Sequence, residues 1–429
     1  MLLAPSITWF YLYYRVCRLR SRQDAFERHL CTQLPRLVRR LGPAAVKCAQ
    51  IGGARPDLLP ARLVEALSAF HDQNKAPSGA KARRYLEQAF GRSIEAHFEW
   101  VDFSPRAAGS IAFVLHGRTL EGDEVALKVV RPGVRRTIDA DLRFIGSVAR
   151  LVGRSRRLAM VPMAEVVAEF SAMARDQCRM TLEAANMARL TSQLDPEILC
   201  PRALPELSTD EVLVMTYVDA PLPLLSPEIP EARYRRLSLV LLREVFRMIF
   251  VHGLVHGDLH PGNVKVARNG SLVLFDFGLV AELRQIDRRR FREMFLGVVV
   301  GDARLVALSL IESAGRRVTD TPFDEVVQAV RPMLARRTGQ RAGTFLVAAF
   351  VRELFEIQRR FGLSGVPGFA NAVWALAMYE GLVRARFPDL DFQAEALRVL
   401  MAPYDNIRLV EPAISAGEGK ICQVFIPHA

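Results

Sequence analysis

Two short polar motifs near the middle of the chain constrain its fold more than any other feature. The first is HGDLHPGN at 256–263, and the second is DFG at 276–278, which begins thirteen residues after Asn263. The apolar run SLVLF at 271–275 precedes the second motif directly and predicts a short buried strand. A polar loop followed at this spacing by a strand-borne carboxylate is typical of sites that handle nucleotide phosphates.

Each polar residue of these motifs suits one task in phosphoryl transfer. Asp258 is the predicted catalytic residue, because its carboxylate can accept the proton of an attacking hydroxyl or water. Asn263 and Asp276 are the predicted metal ligands, since Mg²⁺ prefers carboxylate and amide oxygens. His256 and His260 alternate with Asp258 and could be interpreted as a metal cluster, but a structural role for His256 is the better interpretation. ATP and Mg²⁺ are therefore the predicted cofactors.

A lysine and a turn of small residues upstream complete the predicted nucleotide site. Lys128 ends the strand-like run EVALK at 124–128 and is predicted to bind the α- and β-phosphates and to support catalysis. About twenty residues before it, where a glycine-rich turn would cover the phosphates, the chain has small residues without the GxGxxG pattern. The remaining predicted nucleotide-binding residues, in this turn and at the hinge, are Ala107, Ala108, Gly109, Ser110 and Val218.

The apolar patterns predict an α+β, bilobal chain. Strand-like runs lie in the first half, whereas helical periodicity dominates after the Pro-rich hinge at 219–230. The predicted strands lie at 110–115, 124–130 and 211–217, with a turn at 121–123, and helices are expected at 137–152 and 163–194. The predicted units are an N-terminal helical extension at 1–99, a small lobe at 100–218, a large helical lobe at 219–400 and a tail at 401–429.

Charge and cysteine content limit the range of partners. The net charge of +12 favours anionic partners such as nucleotides and acidic membrane surfaces, although a general preference for Arg over Lys explains it equally well. No basic stripe is interleaved with aromatic residues, so nucleic acid is not an expected partner. The six cysteines form no CxxC pair, which favours a reducing compartment and no zinc site.

The N-terminal run MLLAPSITWFYLYY is apolar but too short to cross a bilayer, and arginines follow it up to residue 22. A secretory signal would place its charge before the apolar run. Aromatic and basic residues together suit either an anionic membrane surface or packing on the protein's own domain. Because no later run has transmembrane length, we expect a cytoplasmic protein without a transmembrane helix, peripheral at the inner face of the membrane.

Taken together, the motifs resemble those of the UbiB/ADCK family of atypical kinases. That family has an Ala-rich loop in place of the Gly-rich loop, and an N-terminal KxGQ motif followed by an arginine and DLLP. This chain has KCAQ at 47–50 and RPDLLP at 55–60. It also has, in the family's order, LGP at 41–43, RPG at 131–133 and LEAAN at 182–186. The resemblance runs from about residue 35 to about residue 315.

The resemblance implies a protein-kinase-like fold with an N-terminal helical extension, and an ATPase or small-molecule kinase. It implies a role in isoprenoid-quinone or lipid metabolism at a membrane, with a lipid-like or quinone-precursor molecule as partner. In the family the KxGQ helices cover the site where a peptide would bind, so Lys47 and Gln50 are predicted to occlude it. No APE-like motif follows DFG, and peptide phosphorylation is therefore not expected.

The chain departs from the family pattern at several positions. Ala49 replaces the KxGQ glycine, Thr216 replaces a common hinge glutamate, and Phe113 replaces a common glutamine. In the family the acidic partner of the strand lysine is expected six residues before Glu183, where this chain has Gln177. Lys128 is therefore expected to lack its usual ion pair, since neighbouring Asp176 would point about 100° away on a helix.

Three other hypotheses stay open. Aminoglycoside- or choline-kinase-type phosphotransferases share the HGDLHPGN-like loop but lack a KxGQ extension, so residues 47–60 argue against them. A pseudokinase scaffold that binds nucleotide or lipid is suggested by Gln177, whereas retention of Asp258, Asn263 and Asp276 argues against it. A peptide-directed protein kinase is the third alternative.

Overall fold

The structure is a computed structural model. It describes residues 76–91, 93–140, 142–143, 172, 174–314, 322–337, 347–363, 367–384 and 386–402. The predictions for the extension up to residue 75, among them Lys47 and Gln50, lie outside these residues, as do those for the tail after residue 402. Most of the helix predicted at 137–152 and the first part of that predicted at 163–194 also lie outside them.

An antiparallel sheet forms the small lobe, in the strand order β1-β2-β3-β5. Alternate residues of β3 face opposite sides of this sheet. Val125, Leu127 and Val129 pack with Ala82 and Leu86 of helix α1 in one core cluster, whereas Ala126 and Val130 face the main core. The elements are α1 (Gly79–Phe90), a 3₁₀ turn (Ile94–Ala96), β1 (Phe98–Ala108), β2 (Ala112–Thr119), β3 (Glu124–Val130) and β5 (Val212–Thr216).

The structure confirms the predicted strands at 124–130 and 211–217, shifts the one predicted at 110–115 to 112–119, and separates a further strand, β1, before it. Strand β1 pairs with β2 from Phe98↔Thr119 to Ala108↔Phe113, with an irregularity between Asp102 and Ala107. Buried and exposed side chains do not alternate along β1, because this strand lies at the edge of the sheet, where most of its side chains are partly exposed. An edge strand tolerates Pro105, which donates no backbone hydrogen bond, so the period-2 signal is weak here.

Helix α2 (Met180–Thr191) lies on the sheet face opposite α1. The sequence predicts a continuous helix through this region, but the described chain turns at Gln177 and Cys178 before α2 begins. Arg135 reinforces the start of α2, because its guanidinium donates to the carbonyl of Cys178 at 2.7 Å and to Asp210 Oδ2 at 2.8 Å. This break in the helix determines which side chains of α2 face the cleft.

Helices build most of the large lobe. Two buried tyrosines tie the helix that begins at Glu231 to the one that begins at Pro367: Tyr234 donates to the carbonyl of Leu382 at 2.6 Å, and Tyr379 donates to that of Ser238 at 2.7 Å. The helices are α3 (Glu231–Arg247), which continues into a π-turn (Met248–His252), α4 (Gln285–Val300), α5 (Ala303–Glu312), α6 (Phe323–Arg337), α7 (Val347–Arg360), α8 (Pro367–Val383) and α9 (Phe392–Leu400). Within the described ranges, we find no helix with the length and apolar character needed to cross a bilayer.

Short strands lie between the two lobes and carry the polar motifs. One small sheet has the order β4-β9-β8-β6, and β7 pairs with β10 in another. A 3₁₀ turn (Pro205–Leu207) precedes β5. These strands are β4 (Ile198–Leu199), β6 (Leu222–Pro223), β7 (Leu254–His256), β8 (Val264–Val266), β9 (Leu272–Leu274) and β10 (Val280–Glu282).

Candidate active site

The β8–β9 hairpin brings the two predicted metal ligands to the same end of one sheet. Its register pairs Val264 with Leu274, so Asn263 lies just before one strand and Asp276 just after the other. The backbone N–H of Phe275 donates to the carbonyl of Asn263 at 2.9 Å and closes this end of the hairpin. The thirteen-residue spacing between the motifs is therefore the length of a hairpin with its ends held together.

A buried neutral histidine holds the polar loop. His256 Nε2 lies 3.1 Å from the carbonyl of Phe275, and its Nδ1 accepts from the backbone N–H of Asp258 at 3.2 Å. The neutral tautomer with the proton on Nε2 satisfies both contacts. Burial lowers the pKa of His256, which keeps the ring neutral at pH 7. The structural interpretation of this histidine therefore agrees with its contacts.

Asn263 and His260 order the loop around Asp258. The amide Nδ2 of Asn263 donates to the backbone carbonyl of Asp258 at 3.0 Å, which turns the amide oxygen away from that carbonyl. His260 Nε2 lies 3.8 Å from Asp258 Oδ2, and His260 Nδ1 accepts from the backbone N–H of Gly262 at 3.0 Å. A Cβ on Gly262 would lie 2.6 Å from the His260 ring, so a larger residue at position 262 would displace this partly exposed ring.

Lys128 joins two carboxylates from different parts of the chain. Its Nζ lies 2.7 Å from Glu183 Oε1 on α2 and 2.9 Å from Asp276 Oδ1. The expectation that Lys128 lacks its ion pair, because Gln177 replaces an acid, is therefore wrong. Glu183 is the partner, since α2 begins only at Met180 and turns Glu183 toward β3.

The ionic contact between Lys128 and Glu183 is almost completely shielded from water. Only 14% of the Lys128 side chain and 2% of that of Glu183 are exposed. Burial by itself lowers the pKa of Lys128, but attraction to Asp276 and Glu183 outweighs it and the net pKa is raised. Burial raises the pKa of Glu183, and the ammonium of Lys128 opposes that shift. Lys128 therefore stays protonated across the physiological range.

Asp276 has a backbone conformation that non-glycine residues rarely adopt. Its φ of 61° lies in the left-handed region, which costs roughly 1–2 kcal/mol for such a residue. The carboxylate is held by Lys128 and by the backbone N–H of Gly278, which donates to Oδ1 at 3.2 Å. Asn186 of α2 fixes the next residue, because its Nδ2 donates to the carbonyl of Phe277 at 3.2 Å. These contacts direct the Asp276 carboxylate into the cleft.

The predicted phosphate-covering residues lie at the tip of the β1–β2 hairpin. Ala107 and Ala108 are the last residues of β1 and pair with β2, so the turn itself begins at Gly109. The backbone N–H of Gly109 donates to the carbonyl of Ala112 at 2.8 Å, and Arg131 Nε donates to the carbonyl of Gly109 at 3.0 Å. Gly109 is not among the described glycines with positive φ, so this turn does not use its left-handed freedom.

The hinge follows β5 and is supported from the small lobe. The backbone N–H of Tyr217 donates to the carbonyl of Glu124 at 3.0 Å, and its ring stacks on His116 with centroids 3.9 Å apart. Val218, the predicted nucleotide contact at the hinge, is the next residue and is partly exposed. The hinge backbone is therefore tied to the start of β3.

Comparison with known proteins identifies the family. A model described as the ABC1 atypical kinase-like domain matches residues 69–310. The chain belongs to this family. A relative described as a probable protein kinase UbiB from Aeromonas hydrophila is 33% identical over 365 residues, which cover 82% of this chain and 66% of the relative. One with the same description from Vibrio atlanticus is 31% identical over 384 residues, which cover 86% of this chain and 70% of the relative.

This chain therefore spans about two thirds of the length of these UbiB relatives. Among solved structures, the complex of Rv3197 with erythromycin from Mycobacterium tuberculosis aligns with a TM-score of 0.48 at 20% identity. The alignment covers 73% of this chain and 84% of that one. The resemblance to the UbiB/ADCK family and the kinase-like α+β fold are both confirmed by the family match.

The sequence analysis did not predict that two residues of α2 contact the site. Glu183 and Asn186 both belong to LEAAN and lie three residues apart, on one face of α2. That spacing could have indicated their shared direction once the helix boundary was known. The sequence analysis considered His260 only as a member of an alternative metal cluster. In the described part of the chain, no group of three His, Cys, Asp or Glu side chains is arranged to hold a metal ion.

The charge and donor set of the site fit a magnesium nucleotide. Glu183 and Asp276 share one ammonium, that of Lys128, while the HGDLHPGN loop adds the carboxylate of Asp258 and its His256 is neutral. The excess negative charge suits a divalent cation. Asn263 would add an amide oxygen, because its nitrogen is already used by the carbonyl of Asp258. Asn263 and Asp276 would therefore hold Mg²⁺, and Lys128 would meet the phosphates.

Proposed function

We propose that this chain is a Mg²⁺-dependent, ATP-using atypical kinase or ATPase of the UbiB type. The contact of Lys128 with both Glu183 and Asp276 carries the proposal. That contact joins the phosphate-binding cation to the metal-binding carboxylate across the cleft, and the Asn263 loop lies at the same end of the β8–β9 hairpin. Mg²⁺-ATP, when bound, supplies the transferable phosphoryl group and the cation that neutralises its charge.

The chain's own residues would divide the work as follows. Lys128 binds phosphate oxygens and remains charged, because two carboxylates raise its pKa. Asp258 accepts a proton from the attacking water or hydroxyl on its side-chain carboxylate, part of which is exposed to the cleft. His256 and Asn263 hold the Asp258 backbone and so orient this carboxylate. The β1–β2 turn at Gly109 and Ser110 would cover the phosphates.

The segment after DFG favours a small acceptor over a peptide. Strand β10 (Val280–Glu282) pairs with β7, and α4 begins at Gln285, so six residues separate Gly278 from the helix. An activation segment that binds an extended peptide needs a longer loop at this place. We therefore propose water, or a small lipid-like or quinone-precursor molecule, as the phosphate acceptor. We further propose that the protein acts in isoprenoid-quinone or lipid metabolism, peripherally at an anionic membrane surface.

Ligand-dependent melting temperature tests the nucleotide site. ATP and ADP, each with and without Mg²⁺, are added to the wild type and to Asp276→Asn. A ligand that binds only the folded state raises the melting temperature. We expect a Mg²⁺-dependent rise of several degrees for the wild type and its loss in the variant. If no nucleotide shifts the wild type, the proposed nucleotide site is wrong and the lipid-binding form of the pseudokinase hypothesis is favoured.

Turnover then separates an enzyme from a nucleotide-binding scaffold. Phosphate release from ATP is measured with Mg²⁺ and anionic lipid vesicles for the wild type, Asp276→Asn and Asp258→Asn. We expect both variants to lose at least about a hundredfold in rate, as general acid–base catalysis and metal binding would require. Equal rates in all three proteins would contradict the enzyme hypothesis. Transfer to a peptide panel that Asp258→Asn abolishes would instead support a protein kinase.

A further inference from the structure

Helix α2 begins at a residue that cannot cap it. Arg179 is its N-cap residue, and a guanidinium has no acceptor for the N–H groups of the first turn. The backbone N–H of Met180 donates instead to the carbonyl of Asp210 at 3.2 Å. The Thr181 hydroxyl donates to Asp210 Oδ1 at 2.8 Å. Asp210, twenty-nine positions after Thr181, therefore does the work of an N-cap residue for α2.

Arg135 holds Asp210 in this capping position. Its Nη2 lies 2.7 Å from the carbonyl of Asp210, 2.8 Å from Asp210 Oδ2, and 2.7 Å from the carbonyl of Cys178 in the turn before α2. We call this set of contacts the Arg135–Asp210 clamp. Both side chains of the ion pair are at least 40% exposed, so the pair adds little to global stability. Its main consequence is where α2 begins.

The clamp is attached to the pair of strands that carries Lys128. Asp210 lies two residues before β5, and β5 pairs with β3, the strand of Lys128. Next to Asp210, the carbonyl of Glu211 accepts from the backbone N–H of Val130, the last residue of β3, at 2.9 Å. Arg135 follows the end of β3 by five residues. The start of α2 is therefore fixed relative to the same two strands that position Lys128.

Fixing the start of α2 also fixes Glu183. Glu183 lies three residues after Met180, a rise of about 4.5 Å along the helix axis. One turn of a hydrogen-bonded helix moves as a unit, so the position of Met180 determines where the Glu183 carboxylate lies. That carboxylate meets Lys128 Nζ at 2.7 Å. The two charged groups therefore approach each other from two elements that share one anchor, Asp210.

We infer that Arg135 is a positioning residue for phosphoryl transfer, because through Asp210 it holds α2 where Glu183 fixes the Lys128 ammonium. This inference rests on the proposed function. If α2 moved away, Asp276 would be the remaining carboxylate on Lys128. The ammonium would then follow the metal ligand and lose its fixed place for the phosphates. Loss of the clamp should therefore reduce turnover more than it reduces folding.

A double-mutant cycle on ATP turnover tests this role. Phosphate release with Mg²⁺ and anionic vesicles is measured for the wild type, Arg135→Gln, Glu183→Gln and the double variant. We expect Arg135→Gln to lower kcat about tenfold, as a small misplacement of a binding group does. The double variant should be no slower than Glu183→Gln, because the clamp acts through Glu183. Arg136→Gln, at the next residue with an exposed side chain, is the matched control and should equal the wild type.

Thiol labelling reports on α2 without relying on activity. The Cys178 side chain is 1% exposed and lies in the turn that the clamp holds. We expect a soluble thiol reagent to label Cys178 about tenfold faster in Arg135→Gln than in the wild type, because local opening limits access to a buried thiol. Cys200, which follows β4 outside the clamp, is the internal control and should be labelled equally fast in both proteins. Peptide mass spectrometry distinguishes the two sites.

The outcomes separate this inference from the proposed function. If the wild type turns over ATP and Arg135→Gln does so equally fast, Arg135 does not position the site and the proposed function stands. If the double variant is slower than Glu183→Gln by the full effect of Arg135→Gln, Arg135 acts elsewhere and the inference is wrong. Unchanged labelling of Cys178 would also contradict it. If the wild type releases no phosphate, the proposed function itself fails. Arg135→Lys, which keeps the charge on a shorter side chain, replaces Arg135→Gln should that variant not fold.

Discussion

The two sides of the cleft are held by different forces. On the small-lobe side, the ammonium of Lys128 binds Glu183 and Asp276, so charge fixes the geometry. On the large-lobe side, His256 and Asn263 fix the polar loop through hydrogen bonds to backbone groups, and the histidine is neutral. The neutral loop depends on its own segment and the adjacent hairpin. The charged side depends on where α2 lies, because Glu183 and Asn186 both project from that helix.

This difference predicts how each side responds to perturbation. A buried ion pair is sensitive to loss of one partner, because the remaining charge stays desolvated. A buried neutral network is sensitive to shape and to the protonation of its histidine. The charged side should therefore show the larger losses on substitution, and the neutral side should show the pH dependence.

The largest expected effect is that of removing Glu183. Glu183→Ala should lower the free energy of unfolding by about 3 kcal/mol, since Lys128 loses its buried partner. Gln177→Ala is the matched control, because Gln177 lies in the turn before α2 and should cost less than about 0.5 kcal/mol. Urea denaturation measures both. Equal losses would mean that the charged contact does not stabilise the small-lobe side.

The next effect tests the shape of the neutral loop. Gly262→Ala should cost about 1.5 kcal/mol, because the new Cβ would lie 2.6 Å from the His260 ring and displace that ring from its hydrogen bond with the Gly262 N–H. The matched control is Gly381→Ala in α8, where a Cβ meets no neighbour within 4 Å. That change should be neutral or slightly stabilising. A Gly262→Ala protein as stable as the control would show that the loop tolerates displacement.

A smaller effect appears with pH. Burial lowers the pKa of His256, so below 6.5, the ordinary histidine value, the unfolded chain binds a proton that the folded chain does not. Stability should therefore fall as pH drops below 6.5, by at most about 1.4 kcal/mol per pH unit for this group. His256→Gln should flatten the decline in denaturation measured from pH 7 to pH 5.

His252 contributes to the same decline, since burial also lowers its pKa. His252→Gln is therefore a companion variant. The effects of the two substitutions on the slope of stability against pH should add, because the two histidines bind their protons separately. A wild-type stability that does not change between pH 7 and pH 5 would contradict the buried neutral state of His256.

The smallest effect compares two contacts of α2. Asn186→Ala should cost about 1 kcal/mol, because the carbonyl of Phe277 loses a hydrogen bond in a partly buried place. Arg189→Ala removes an exposed salt bridge to Glu282 and should cost about 0.5 kcal/mol or less. Thermal and urea unfolding would rank the two. The reverse order would indicate that exposed charge, not the hydrogen bond to Phe277, holds α2 against the DFG segment.

The sequence alone determined the parts of the site that are local. HGDLHPGN and DFG lie in a loop and at the end of a hairpin whose ends must meet. Their spacing was therefore enough to predict that Asp258, Asn263 and Asp276 belong to one site. The run EVALK predicted β3 with Lys128, because strand signals act over a few residues. These features are determined by contacts between residues close in sequence or in one hairpin.

Only the tertiary structure decided the partner of Lys128. Helical periodicity assigns faces only within one unbroken helix, and the predicted helix breaks at Gln177 and Cys178. When a helix begins a few residues later than predicted, all of its side chains point in other directions than predicted. Glu183 therefore faces Lys128. The break itself is held by Arg135 and Asp210, which lie far away in the chain. Long-range contacts of this kind leave no local pattern, and for that reason the sequence could not determine the ionic contact.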